Sequence, residues 1–304
     1  MIIDGGHTMI EIIDDVKPLF DERLRDTHIC VDDKGVYYLT GTSGEDIWDH
    51  NDGIKIWKSS DLKNWESLGT VWTFDNDATW QKEPRTHLGK QIRSVWAPEI
   101  HYVNDNFYIT YSIPPSGTGL LKSVSKKAEG PYVNALAKDE PLTDDIDASL
   151  FKDDDGSVYF VYAGGYIAKM NENMDGLVEK PRRMLCDKPD TNPNHHGAKK
   201  YSGMDEIGFE GAFLFKHNGK YYLSCADIYY GRYSSIVGVS EYIYGPYTNR
   251  HEAIPCGGHN NYFKANDGNW YGTMFGNDMY APFNEKPAIV KIKFNKDGLI
   301  EVTK

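Results

Sequence analysis

Apolar positions in this chain come in short runs that alternate with polar ones, and the runs are divided by clusters of Asp, Asn and Gly. Five segments share one design: ICVDDKGVYYLTG, IHYVNDNFYITYS, LFKDDDGSVYFVY, FLFKHNGKYYLSC and YFKANDGNWYGTM. Each reads as an apolar strand, a turn built from residues that tolerate tight reversal, and a strand carrying aromatic or β-branched residues, which together signal a β-hairpin. The DDDG and NDG turns lack the spacing and terminal Glu of a calcium-binding EF-hand loop. A second pattern follows most copies, as in GIKIWKSSDLKNWESLG and SSIVGVSEYIYGPYTNR: a further strand, a polar turn and a last strand.

Two hairpins per repeat make a four-stranded sheet, and five such sheets predict an all-β fold, a five-bladed β-propeller. Residues 1–304 then form one domain, with blades over about 24–71, 94–134, 145–181, 208–250 and 256–303. A solenoid or a sandwich is the alternative, but neither calls for five units of this design. Residues 72–94 and 182–209 break the rhythm as long polar stretches with scattered aromatics, and are expected to be insertions bordering a site. His195 and His196 lie in the second; adjacent histidines on a strand face opposite ways, so a solvated loop is expected there rather than a metal site.

Composition narrows the function classes. A net charge of −12 with no concentrated Lys/Arg run argues against nucleic acid and anionic lipid as partners. Cys30, Cys186, Cys225 and Cys256 lie far apart without CxxC spacing, as expected of free thiols. The N-terminal stretch MIIDGGHTMIEIIDDVKP has neither a basic segment before an unbroken apolar run nor a membrane span. The sequence as it stands therefore reads as cytoplasmic, or as periplasmic or secreted if an export signal was trimmed. The 21 Tyr, 12 Phe and 7 Trp suit both core packing and stacking on sugar rings, and so leave that choice open.

Candidate chemistry emerges from the phase of the repeats. Asp26, Asp147, Glu210 and His259 each lie 11 residues before the first residue of the hairpin's second strand, at Tyr37, Val158, Tyr221 and Trp270. In the second repeat Trp96 holds this offset from Phe107, but the turn is one residue shorter and Ala97 competes for the slot. First strands of propeller blades line the axis in one direction, so equivalent starting positions converge at one mouth of the channel. A single Asp before a strand commonly satisfies turn N–H groups. Three carboxylates in register instead predict a shared site in which one holds its proton and another acts as a base, the pairing that glycoside hydrolysis requires.

At these residues the sequence resembles glycoside hydrolase family 43 over nearly the whole chain. The resemblance rests on RDTHICVDDKGVYYLTG, SVWAPEIHYVNDNFYITYS, DIDASLFKDDDGSVYFVY and FEGAFLFKHNGKYYL taken in order. It implies a five-bladed propeller that inverts the anomeric centre with Asp26 as general base, Asp147 as the group tuning the acid, and Glu210 as general acid. The family often has Pro after the base, where this chain has Thr27. The resemblance also implies that His259 sits on the axis, either beside a structural calcium ion or as a hydrogen-bonded histidine without metal, and that Arg232 reaches toward substrate and acid. No cofactor is required for the chemistry. Trp96 fits either an apolar wall for a sugar ring or a core position, and Asn277 and Asp278, after the fifth hairpin, are placed at the pocket.

The expected substrate is an arabinose- or xylose-containing glycan, cleaved by an exo-acting α-L-arabinofuranosidase or β-xylosidase. An endo-acting arabinanase or xylanase and a galactan-active hydrolase are the alternatives within the family. A non-catalytic glycan-binding propeller would not need acids in three repeats, and a phosphorylase or lyase would want a basic centre.

Overall fold

The computed structural model describes residues 13–303 apart from 189–194, 197–199 and 202. The five repeats form five antiparallel sheets whose strands follow one another in chain order. Blade 1 comprises Leu24–Val31, Tyr37–Ser43, Gly53–Ser59 and Glu66–Thr73; blade 2 comprises Trp96–Val103, Asn106–Ile113, Gly117–Ser123 and Tyr132–Asn134. Blade 3 is built from Ser149–Lys152, Val158–Tyr162, Tyr166–Lys169 and Arg182–Arg183, and blade 4 from Glu210–His217, Lys220–Tyr229, Arg232–Ser240 and Thr248–Ile254. Tyr262–Lys264, Trp270–Met274, Ala288–Phe294 and Ile300–Val302 make blade 5. The arrangement is the five-bladed β-propeller expected from the repeats.

Turn chemistry sets where each hairpin reverses. In blades 2 and 4 the first two strands are joined by two-residue turns, Asn104–Asp105 and Asn218–Gly219, with positive φ at both positions. Blade 1 uses a longer turn in which Asp32 Oδ1 accepts the backbone N–H groups of Lys34 and Val36. This difference of one residue matters for the site.

The apolar core is divided into wedges between blades rather than gathered in one centre. Ile54, Ile56 and Trp72 of blade 1 pack on Ile100 and Ile109 of blade 2, and Val103 and Leu120 of blade 2 on Leu150 and Phe160 of blade 3. Ile167 meets Leu214 and Leu223 between blades 3 and 4, and Phe215 and Val237 meet Met274 and Ile292 between blades 4 and 5. Leu39 and Trp57 meet Phe263 where blade 1 returns to blade 5. At that closure the Asn261 side chain accepts from Ile29 N (2.9 Å) and donates to Ile29 O (2.8 Å), while Thr273 Oγ1 donates to Thr27 O (2.7 Å). The buried amide thus replaces strand pairing across the seam.

Residues 72–94 contain one 3₁₀ turn, Trp80–Lys82, and a small hairpin of Arg85–His87 with Lys90–Ile92. Asn51 fastens this insertion, accepting from Val95 N and donating to Val95 O. The stretch expected as a second insertion begins inside blade 3, since Arg182–Arg183 is that blade's outer strand. His195–His196, expected in a loop, pairs along its backbone with Tyr229 and Ile228 as a short strand that extends the edge of blade 4. All four cysteines are free.

Candidate active site

The first strand of blades 1, 2 and 4 carries a β-bulge at its start. Asp26 and Thr27 lie between the pairs Arg25–Thr42 and His28–Thr40; Ala97 and Pro98 lie between Trp96–Ser112 and Glu99–Thr110; Gly211 and Ala212 lie between Glu210–Ala226 and Phe213–Ser224. The first bulged residue is left-handed, with φ of 53° at Asp26, 43° at Ala97 and 62° at Gly211, and Asp147 (59°) and His259 (51°) share that backbone in blades 3 and 5. Such angles are uncommon without Gly and best tolerated by Asp, Asn and His. Bulges of this kind re-aim side chains beside sites.

This corrects the slot expected from counting. The true equivalents are Asp26, Ala97, Asp147, Gly211 and His259, while Glu210 and Trp96 stand one residue earlier, in register with Arg25. The count of 11 holds only for the longer turns; with two-residue turns, Ala97 to Phe107 and Gly211 to Tyr221 are each 10 residues.

Asp26, Asp147 and His259 nevertheless meet, and Glu210 joins them. His259 Nδ1 lies 3.4 Å from Asp26 Oδ1 and 3.7 Å from Asp147 Oδ2, all three side chains being buried. Thr42 Oγ1 donates to Asp26 Oδ2 (2.6 Å) and accepts from Ala97 N (2.7 Å), tying the blade 1 acid to blade 2. Ser112 Oγ accepts from Asp147 N (2.8 Å), and Asp147 Oδ2 accepts from Gly211 N (3.1 Å), so each slot is held by its neighbour. Tyr233 Oη donates to Glu210 Oε1 at 2.6 Å.

The electrostatics divide the carboxyls. Burial pushes the Asp147 carboxyl up to about 7; the His259 charge opposes this, and the charges of Glu210 and Asp26 add to it. Burial also raises the Glu210 carboxyl, against the Tyr233 hydrogen bond and the His259 charge. For His259 burial disfavours the imidazolium, but the charges of Asp147, Asp26, Glu99 and Glu210 outweigh it and raise the pKa. Two carboxyls that hold protons unusually late thus sit beside a histidine that favours its charged form.

Around this cluster lies an aromatic rim. Trp96 stands edge-on to Trp48 (centroids 5.6 Å apart) and to His87 of the insertion (5.6 Å), and donates from Nε1 to Trp48 O. Trp48 is 45% exposed and Trp96 partly so, and neither is a buried core position. Arg25 lies 4.5 Å from the Trp48 ring, donates to Asn277 Oδ1 (2.5 Å) and pairs with Glu285 (3.0 Å).

Arg232 is placed otherwise than expected. It is 2% exposed, with Nη2 at 3.1 and 2.9 Å from the two carboxylate oxygens of Glu252, on the outer strand of its own blade. Neighbours on a strand point to opposite faces, so Tyr233, not Arg232, turns to Glu210. Asp278 is occupied in shaping its loop, accepting from Tyr233 N (2.8 Å) and Tyr280 N (2.9 Å). Asn277 reaches the site through Arg25.

Below the acids the channel is lined by His28, Glu99, Ser149 and Phe213, the next residues beyond the bulge or slot, with His101 one further step along blade 2. Burial drives the His28 imidazole down to about 3, against the attraction of Glu99. A calcium ion at His259 would want six to eight oxygen ligands. Nε2 of His259 is buried without a hydrogen-bond partner, and the charges of Asp147, Asp26, Glu99 and Glu210 all act on the ring.

Sequence reasoning missed Tyr233, Thr42, Trp48, His87 and the use of Arg25. Strand alternation could have found Tyr233, and alignment on the bulge rather than on the turn could have found Arg25.

Comparison with known proteins places this geometry in context. Residues 16–300 match the description Glycosyl hydrolases family 43. An extracellular endo-alpha-(1->5)-L-arabinanase 1 of Bacillus subtilis is 27% identical over 65% of this chain and 60% of its own length. A putative beta-xylosidase of Escherichia coli is 25% identical over 90% and 54% respectively. The chain thus spans little more than half the length of these relatives. The GH43_1 enzyme from Xanthomonas citri, solved in complex with xylotriose, superposes with a TM-score of 0.72 at 19% identity, covering 97% of this chain and 96% of that one, a likeness of fold.

Proposed function

The chain belongs to glycosyl hydrolase family 43, and from that premise we propose that it is an inverting glycoside hydrolase acting on arabinose- or xylose-containing glycans. The reading is carried by one observation: acids from blades 1, 3 and 4 gather around His259 at one mouth of the channel, with Glu210 and Asp147 both inclined to keep their protons. Glu210 donates its proton to the glycosidic oxygen as the bond to the anomeric carbon breaks. Asp26, oriented by Thr42, takes a proton from the water that attacks the opposite face, so the product anomer is inverted. Asp147 presents an adjacent carboxyl and, through Gly211 N, fixes the backbone beside the acid.

Trp96, Trp48 and His87 offer the sugar a wall, and Arg25 with Asn277 offers donors and acceptors at its edge. Because the folded 72–94 insertion supports one side of that rim, the favoured mode is exo: an α-L-arabinofuranosidase or β-xylosidase. The test is a panel of arabinan, arabinoxylan, xylan and galactan with the released sugar followed by proton NMR. Monosaccharide appearing first as the inverted anomer supports the reading; oligosaccharides appearing first make the enzyme endo-acting, and retention of configuration or no release from any glycan defeats it.

A further inference from the structure

One polar cluster in the channel has no part in the hydrolytic scheme. His28, Glu99 and His101 are 3, 4 and 5% exposed, and they are the one group among the described residues whose His, Cys, Asp or Glu ligand atoms all lie within 4.8 Å of each other. Glu99 Oε2 is 3.4 Å from His28 Nε2 and 3.5 Å from His101 Nε2. A charge-assisted hydrogen bond would bring such atoms to about 2.7–2.9 Å. Instead Glu99 Oε2 and both ring nitrogens of His28 make no hydrogen bond. Tetrahedral ligands about 2.1 Å from a shared ion stand about 3.4 Å from one another, which is the spacing of Glu99 Oε2 from each of the two imidazole nitrogens.

We propose that these three side chains form a binding site for a zinc-class divalent ion, held by His28 Nε2, Glu99 Oε2 and His101 Nε2 with a fourth position open to the channel. Two imidazoles and one carboxylate suit zinc or cobalt and are a poor set for calcium. His101 Nε2 accepts from Leu150 N at 3.4 Å and lies 3.3 Å from Thr110 Oγ1, long contacts that present an unprotonated nitrogen and compete only weakly for its lone pair. Access comes from a cavity of about 370 Å³ that His28 and His101 line together with Cys30, Lys152 and Lys216. The ligands come from the first strands of blades 1 and 2, so the ion would staple those blades at the axis; its role is structural, and it does not rest on the hydrolase reading.

The experiment uses tag-free protein stripped by chelator and then titrated with Co²⁺, following visible absorption, bound metal per chain after gel filtration, and the melting temperature. One equivalent is expected, with the intense bands of a four-coordinate ion, a raised Tm, displacement by Zn²⁺ and none by a hundredfold excess of Ca²⁺. Glu99→Gln and His101→Asn should each abolish the bands and the Tm rise, while His259→Asn keeps both. No stoichiometric uptake by the folded wild type, displacement by calcium, or uptake that survives both Glu99→Gln and His101→Asn overturns the proposal. Should those variants not fold, the wild-type competition between zinc and calcium still decides it.

Discussion

Burial holds the proton on Glu210, and one hydroxyl opposes it. Tyr233 Oη donates to Glu210 Oε1, which stabilises the carboxylate and so works against the burial that raises the pKa. In the proposed mechanism Glu210 acts in its protonated form, so hydrolysis should fall as pH rises through that raised pKa. Tyr233→Phe removes the donor, and a hydrogen bond to a charged group is worth about 1.5–3 kcal/mol, or roughly one to two pKa units. The alkaline limb of the kcat profile should move up in pH by about that much, whereas a merely structural role for Tyr233 would lower the rate without moving the limb. Glu210→Gln should hurt substrates with poor leaving groups far more than aryl glycosides with good ones. An equal loss on both classes would remove Glu210 from the role of acid.

At the scale of the element, the bulge converts a strand into a mount for the groups proposed to be catalytic. Gly211 is glycine for a spatial reason as well as a conformational one: a Cβ there would stand 2.8 Å from His259 Cγ and 3.0 Å from His259 Cα. Gly211→Ala should therefore displace Glu210 or His259 and lower kcat by about a hundredfold, the scale of a 1 Å misplacement, with the β-sheet spectrum by circular dichroism unchanged. Ala97 occupies the same left-handed slot in blade 2, so Ala97→Gly relieves backbone strain and should leave Tm the same or slightly higher. Full activity in Gly211→Ala would mean that the contact with His259 does not position the acid.

For the whole molecule, the site is a cost to stability that the interblade wedges offset. Asp147 is pushed up to about 7 from a usual carboxylate value near 3.8. Its folded-state contribution is therefore fully present below pH 4 and is lost as pH climbs through about 7. His259 is also raised, and its contribution falls in the same direction, from below its usual 6.5 upward. Asp147→Asn ends the penalty of burying a charge, so its Tm relative to wild type should be higher at pH 8 than at pH 5, by several degrees if about 2 kcal/mol is recovered. A difference independent of pH between 5 and 8 would show that Asp147 does not ionise at a cost in the fold.

Periodicity and turn residues were enough to define the five blades and the strands that carry Asp26, Asp147, Glu210 and His259, because alternation and tight-turn chemistry are local and repeat along the chain. The same local counting put Glu210 in the slot of Gly211, since a turn shortened by one residue shifts the count without shifting the bulge. Which neighbour faces the acid, Arg232 or Tyr233, depended on which face of blade 4 packs toward the channel. The meeting of His28 with Glu99 and His101, and of Trp48 with Trp96, was likewise decided only in three dimensions. These are contacts between blades or across loops, made by closing a ring, and distance along the chain carries no information about which side chains that closure brings together.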